Sequence, residues 1–183
     1  MPFWPAEPLL QRWRIKKILP YFPYGGVHLD IGCDTPPVLI NLVKERMKQC
    51  IGVDIAVKPE KRDNVEIKRM DLQKKIDLDS NYVNVITLLA VLEHMKYPVE
   101  ILKECYRILK PGGIILITVP SPQNEPILHM FAALHLVRPE MIDQHETYFT
   151  KAYLLECLNQ VGYKQAEVRY FELTLNTFAM AKK

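Results

Sequence analysis

The stretch VNVITLLAVLEHMKYPVEILKECYRILKPGGIILITVP, residues 83–120, decides the fold. It opens with an apolar run, 83–91, rich in β-branched residues and apolar on both faces, as a central parallel strand is. Residues 98–109 then place Val99, Leu102, Tyr106 and Leu109 three, four and three apart, which is one face of a helix. Lys110-Pro111-Gly112-Gly113 stops that helix, and residues 114–120 form a second fully apolar strand. The result is strand, helix, strand with short connections. Such a unit closes only as a right-handed crossover between parallel strands.

The same pattern lies upstream. VHLDI (27–31) reads as a buried strand between Gly25-Gly26 and Gly32. Residues 36–47 start with Pro36-Pro37, favourable in a first helical turn, and carry Val38, Leu39, Leu42 and Val43 at helical spacing. QCIGVDIA (49–56) and VEIKRMDL (65–72) are the second and third strands. Downstream, Thr150 caps a helix to Val161 with Leu154, Leu155 and Leu158 inward, and Gly162 ends it. The runs 166–173 and 175–181 lie too close together for a crossover helix, so they pair antiparallel. Alternating strands and helices of this kind predict a doubly wound α/β sheet covered on both faces.

Bulk properties agree with one such domain. The chain has 183 residues, 49% hydrophobic and 25% charged, enough to bury a core without covalent staples. A net charge of +3 is too small to argue for nucleic acid. The four cysteines, Cys33, Cys50, Cys105 and Cys157, show no paired spacing and read as reduced thiols of a cytoplasmic protein. Residues 1–24 form an extension and 25–183 the domain, with an insertion at about 121–149 that includes the apolar run 127–137. In the extension, residues 8–19 suggest a short amphipathic helix with Leu9 and Trp13 apolar and Lys16 and Lys17 basic. Packing on the domain is the reading favoured by its length and modest charge, with weak contact to a membrane surface as the alternative. No basic n-region precedes an apolar run at the N-terminus, which argues against a signal peptide. No feature sets an oligomeric state.

In an open α/β sheet, ligands bind beyond the carboxyl ends of the strands. The first strand ends in Asp30-Ile31-Gly32-Cys33-Asp34, the second in Asp54, and the third in Met70-Asp71-Leu72. An acid after the second strand suits a ribose diol. An acid beside an apolar residue suits the amino group and face of an adenine. The fourth strand leads into Leu92-Glu93-His94-Met95. G-x-G-x-x-G is absent, and an aspartate just before the loop faces a pyrophosphate badly, which argues against a nicotinamide dehydrogenase.

The segments HLDIGCDTP (28–36), CIGVDIA (50–56), MDLQ (70–73), the LEH and LKPGG elements of residues 83–120, and HETYFT (145–150) together resemble class I S-adenosylmethionine-dependent methyltransferases, a small branch with an LEH…LKPGG region. The resemblance covers about residues 25–165. It implies a Rossmann-like three-layer sandwich around a seven-stranded, mostly parallel sheet of order 3-2-1-4-5-7-6, with the last strand antiparallel. It implies S-adenosylmethionine as cofactor and S-adenosylhomocysteine as product. Asp30, Gly32 and Cys33 would line the methionine end. Asp54 would hold the ribose, and Ile55, Asp71 and Leu72 the adenine. Leu89 and Ala90 would offer carbonyls to the ammonium.

The family loop carries glycine where this chain has Asp34 and Pro36. Aspartate tolerates a left-handed backbone better than most residues, and proline removes one donor. That departure leaves a catalytically weakened cofactor-binding regulatory or partner subunit as the alternative to an active enzyme. For an enzyme, His94, His145 and Tyr148 are the candidate catalytic groups, with Glu93 behind them, since histidine titrates near neutrality. No metal-ligand spacing is present. The acceptor is expected to be a small or glycan-type molecule lying against residues 120–148 and 93–97. The Asn/Asp-Pro-Pro-Tyr/Phe signature of base methylation is missing after the fourth strand.

Overall fold

The computed structural model describes residues 6–72, 75–124 and 149–183. Among them one sheet of eight strands forms the centre, in the spatial order β3-β4-β2-β1-β5-β6-β8-β7. In chain order these are β1 (Val27–Ile31), β2 (Gln49–Asp54), β3 (Glu60–Arg62), β4 (Val65–Arg69), β5 (Val83–Leu89), β6 (Leu109–Pro120), β7 (Lys164–Phe171) and β8 (Asn176–Lys182). Leaving out β3 and renumbering, the order is the expected 3-2-1-4-5-7-6. β8 runs antiparallel to both β6 and β7, while β4, β2, β1, β5 and β6 are mutually parallel.

The strand count differs from the expectation by β3. This three-residue strand pairs antiparallel with β4 through Glu60↔Ile67 and Arg62↔Val65. It is charged throughout and exposed, so hydrophobic patterning cannot reveal it.

Four helices accompany the sheet among the described residues: α1 (Ala6–Ile18), α2 (Val38–Val43), α3 (Pro98–Ile108) and α4 (Lys151–Val161). α3 forms where its spacing predicts, with Pro98 in the first turn, but its buried stripe is Ile101, Leu102, Cys105 and Ile108. Of the expected face only Leu102 is buried in the helix, Val99 and Tyr106 being partly buried and Leu109 starting β6. In α4, Thr150 Oγ1 accepts from the Tyr153 amide at 3.1 Å, and Gly162 closes the helix at φ 104°. The inward residues of α4 are Leu154, Cys157 and Leu158; Leu155 is turned outward, one position off the buried stripe. α2 is shorter than the proline-led pattern suggests and leaves Leu42 exposed. β6 begins at Leu109, so Lys110–Gly113 belongs to the strand and forms an irregular first stretch opposite β5.

Two clusters fill the two faces of the sheet. One joins Leu29, Ile31, Val53, Ile86, Leu88 and Ile117 to α3 and α4. The other joins Val85, Leu116 and Phe178 to α2 and to Ile15 and Ile18 of α1. α1 therefore packs on the sheet through its second half. Leu9 and Trp13, expected on the apolar side, are exposed, because an i+3 step from Ile15 to Ile18 sets the buried stripe instead. Lys17 lies over the Phe171 and Phe178 rings at 5.8 and 5.3 Å.

Among the described residues no helix covers the sheet between β2 and β3 or between β4 and β5. Arg107 of α3 holds the second connection instead, donating to Leu78 O at 2.8 Å and Ile76 O at 3.0 Å. All four cysteines are buried and unpaired. No described helix is long and apolar enough to cross a membrane.

Candidate functional site

The parallel strands bring Asp30, Asp54 and Leu89 to one edge, since Asp30 sits level with Thr87 of β5 on one side and Gly52 of β2 on the other. Asp30 is buried and accepts from Thr87 Oγ1 at 2.5 Å. Burial pushes its carboxyl up to about 7; the Thr87 bond opposes the shift, and the nearby Asp54 charge adds to it. His28 Nε2 lies 2.8 Å from the same threonine oxygen, and burial pushes that imidazole down to about 3. A neutral His28 and a hydroxyl thus support Asp30 from inside the sheet.

At the next strand end, Asp54 is partly exposed. Its Oδ1 accepts from the Ala56 amide at 2.8 Å and its Oδ2 from the Asp34 amide at 3.3 Å. Each oxygen has further lone-pair capacity. Ile55 beside it is 58% exposed, an apolar shelf next to an acid. Asp71 is partly buried, at the start of the chain that leaves β4. Leu72 and Cys33 turn their side chains into the core, so only their backbones are available at the edge.

The glycine-poor loop folds without its second glycine. Asp34 takes up the left-handed conformation at φ 58°, and its Oδ1 accepts from the Thr35 amide at 2.6 Å. Aspartate is one of few residues able to stabilise that conformation with its own side chain. Gly32 is required twice over: its φ is 74°, and a Cβ there would lie 2.3 Å from Val91 Cγ2. The Gly32 and Cys33 amides both point at Val53 O, at 2.8 and 3.3 Å, which pins the loop to β2.

β5 ends in Ala90, whose φ of 56° turns the chain sharply, while its amide donates to Thr118 O at 2.8 Å. A non-glycine residue at positive φ is uncommon and marks a held turn. The 3₁₀ turn Leu92–His94 follows, with Glu93 buried and His94 partly buried. Burial pushes the Glu93 carboxyl above the usual range, against the pull of His94 and Arg14. His145 and Tyr148, the other catalytic candidates, lie outside the described residues, as does most of the expected insertion. The structure therefore gathers Asp30, Gly32, Asp54, Ile55, Leu89, Ala90 and His94 along one edge of the sheet. A cavity of about 730 Å³ lined by Gln49, Lys68, Asp77, Tyr82 and Arg107 lies instead near the beginnings of β2 and β5, away from that edge.

Sequence reasoning missed Thr87 and Arg14. Thr87 is, with Asn84, one of two polar residues in an apolar run, which is a readable signal. Arg14 gave none, as one of several cations on a short helix.

This arrangement has relatives. A family model described as a methyltransferase domain matches residues 7–168. A ubiquinone biosynthesis O-methyltransferase of Idiomarina loihiensis is 28% identical over 144 residues, covering 72% of this chain and 59% of that protein. A homologous enzyme of Pseudomonas paraeruginosa, with the same name, is 24% identical and covered over 50% of its length. The chain thus spans between half and three-fifths of these curated relatives. Among solved structures, a SAM-dependent methyltransferase from Archaeoglobus fulgidus superposes with a TM-score of 0.73 at 21% identity, covering 96% of this chain and 94% of that one. A chain from a complex between the Haloferax volcanii Trm112 methyltransferase activator and a putative methyltransferase gives 0.75 at 15% identity, covering 98% and 95%.

Proposed function

This chain belongs to the methyltransferase domain family, and from that premise we propose that it moves a methyl group from S-adenosylmethionine to an oxygen or nitrogen of a small-molecule acceptor. The observation that carries the reading is Asp54: a carboxylate fixed by two backbone amides at a strand end, with lone pairs to spare and an exposed apolar residue beside it. Its chemistry fits a ribose diol with an adenine stacked alongside. The acids fit a cation and disfavour a phosphate, which separates a sulfonium nucleoside from a dinucleotide.

The residues that would hold the cofactor are Asp54 at the ribose, Ile55, Asp71 and the Leu72 backbone at the base, and Asp30 with the Gly32–Cys33 backbone and the Leu89 and Ala90 carbonyls at the methionine end. When bound, the cofactor supplies an electrophilic methyl group on a sulfur that departs as a neutral thioether. The chain's own work is alignment and exclusion of water. Asp30, ionised once a cation lies near, adds charge complementarity, and Thr87 and His28 keep its carboxylate oriented. His94, beyond the turn at Ala90, would accept the proton that a hydroxyl acceptor gives up. The curated relatives are O-methyltransferases, which favours oxygen as the receiving atom.

The partner-subunit alternative loses its main support in the loop, because Asp34 closes the left-handed turn that a glycine would make. The test is direct. S-adenosylmethionine and S-adenosylhomocysteine are titrated calorimetrically, and labelled methyl is followed into a mixture of hydroxylated small molecules. Binding of both with transferred label supports the enzyme. Binding without transfer to any acceptor returns the subunit reading, and absence of binding removes both.

A further inference from the structure

Five buried polar atoms near the carboxyl ends of β5 and β6 and the amino end of β8 have no hydrogen-bond partner among the described residues: Arg14 Nε, Glu93 Oε2, Thr118 Oγ1, Glu172 Oε1 and Asn176 Oδ1. Glu93, Thr118 and Asn176 are fully or almost fully buried. Unpaired buried polar atoms are few in a folded protein, and a group of them asks for an occupant.

Their positions converge. In the β6–β8 ladder Thr118 faces Phe178 and Pro120 faces Asn176. Side chains alternate along a strand, so Thr118 and Asn176 share the face of Leu116 and Phe178, which is the face that α1 covers. Glu172, in the β7–β8 turn, accepts from Asn176 Nδ2 through its other oxygen at 2.6 Å. The Ala90 amide on Thr118 O brings the Glu93 turn alongside. Arg14, one turn before Ile18 on α1, interacts electrostatically with both Glu93 and Glu172. Its Nε and Glu93 Oε2 nevertheless do not bond to each other, since neither has a partner. A cation and two acids thus lie within electrostatic reach of one another while Arg14 Nε, Glu93 Oε2 and Glu172 Oε1 stay without a hydrogen bond among the described residues.

We infer that this cluster is the acceptor subsite and that it is built for a neutral, hydroxyl-rich small molecule. The inference rests on the methyltransferase reading above, which it deepens. The unpaired inventory holds three acceptors, one N–H donor and one hydroxyl that serves as either. A ligand matching it offers several O–H donors and at least one acceptor oxygen, which is what neighbouring hydroxyls on a saturated ring provide. An anionic acceptor would meet Glu93 and Glu172, and an ammonium would meet Arg14. Burial pushes both carboxyls up and the Arg14 guanidinium down, so added net charge here is disfavoured. The edge adjoins the turn carrying His94, so a hydroxyl held by the cluster lies on the side of the cleft where its proton is to be taken.

The test uses the full chain saturated with S-adenosylhomocysteine and four probes: myo-inositol, methyl α-glucopyranoside, glucuronate and glucosamine. Binding is read by saturation-transfer NMR and calorimetry. At least one neutral probe is expected to bind ten times more tightly than either charged probe. Thr118→Val, which keeps the side-chain shape, is expected to weaken that binding about tenfold, the loss that one hydrogen bond represents, and to leave the melting temperature unchanged. Glu172→Gln serves as the second variant. Equal binding of charged and neutral probes, or none by any probe while S-adenosylhomocysteine still binds, overturns the subsite and makes the cluster a hydrated anchor for α1. Failure of S-adenosylhomocysteine itself to bind overturns the underlying function instead.

Discussion

Thr87 Oγ1 donates to Asp30 Oδ1 across 2.5 Å, between paired positions of β5 and β1 and away from solvent. The bond places a carboxyl in the core with a single side-chain hydroxyl to hold it, and burial wins: the group keeps its proton to about 7. In the unfolded chain the ordinary value is 3.8. Between those values the folded state binds more protons than the unfolded state. This group's stabilisation is therefore present in full below about pH 4 and is lost as pH rises through about 7. Melting temperature is expected to fall from pH 5 to 7.5 more steeply in the parent than in Asp30→Asn, by up to a few kcal/mol in stability. Parallel melting profiles in the two proteins would refute the assignment.

The same ionisation gives a second pH effect of opposite direction on binding. Neighbouring groups at this edge are Asp54, Asp34 and a neutral His28. Ionised Asp30 attracts a cationic nucleoside. Affinity for S-adenosylmethionine is expected to increase from pH 6 to 8, and Asp30→Asn is expected to flatten that increase. A flat profile in the parent protein would detach Asp30 from the site.

Asp54 offers the cleanest test of the nucleoside reading, because its side chain is partly exposed and removing it opens no core cavity. Asp54→Ala should weaken S-adenosylhomocysteine binding between about 10- and 100-fold, the range for losing one or two charge-assisted hydrogen bonds. Calorimetry on parent and variant measures this directly. Equal dissociation constants would move the ribose elsewhere.

At Gly32 the barrier to substitution has two parts, the left-handed backbone and the 2.3 Å approach to Val91 Cγ2. Gly32→Ala is expected to cost about 2–5 kcal/mol, combining a backbone term of about 1–2 with an overpacking term of about 1–3. Val91→Ala removes only the second. In a double-mutant cycle by denaturant unfolding, the pair should therefore be less destabilising than the sum of the singles. Strict additivity would mean that the two residues do not touch.

His94→Ala is expected to lower kcat on a hydroxyl acceptor by about 10²–10⁴-fold, the range for a general base, while S-adenosylhomocysteine affinity stays within about twofold. Retained kcat would leave alignment alone as the catalytic device.

The central fold was legible because its strands are buried on both faces and its helices carry continuous stripes. Val83–Leu89, Pro98–Ile108 and Lys151–Val161 all follow from spacing, capping and breakers. Patterning failed where burial is set by neighbours. Leu155 and Leu42 have the composition of core residues, but the helix phase turns them outward. Glu60–Arg62 has no apolar residue and becomes a strand only because β4 offers it an edge. The acidic carboxyl edge could be read because Asp30, Asp54 and Asp71 stand at or just past the ends of successive strands. The Arg14–Glu93–Glu172 cluster could not, because its members are 79 positions apart on either side of Glu93, as their numbers show, and only the packing of α1 against the sheet unites them.

The three-residue strand β3 carries a consequence for solubility. An uncapped outer strand is an invitation to intermolecular pairing, and parallel sheets of this size are exposed to fibril growth from their flanks. Here a newcomer extending the sheet past β3 would have to align with Glu60, Lys61 and Arg62, three exposed charged side chains in a row. So short and so polar a border discourages polymerisation on that flank, and replacing the trio with valines would be expected to turn a monodisperse preparation into one that scatters light.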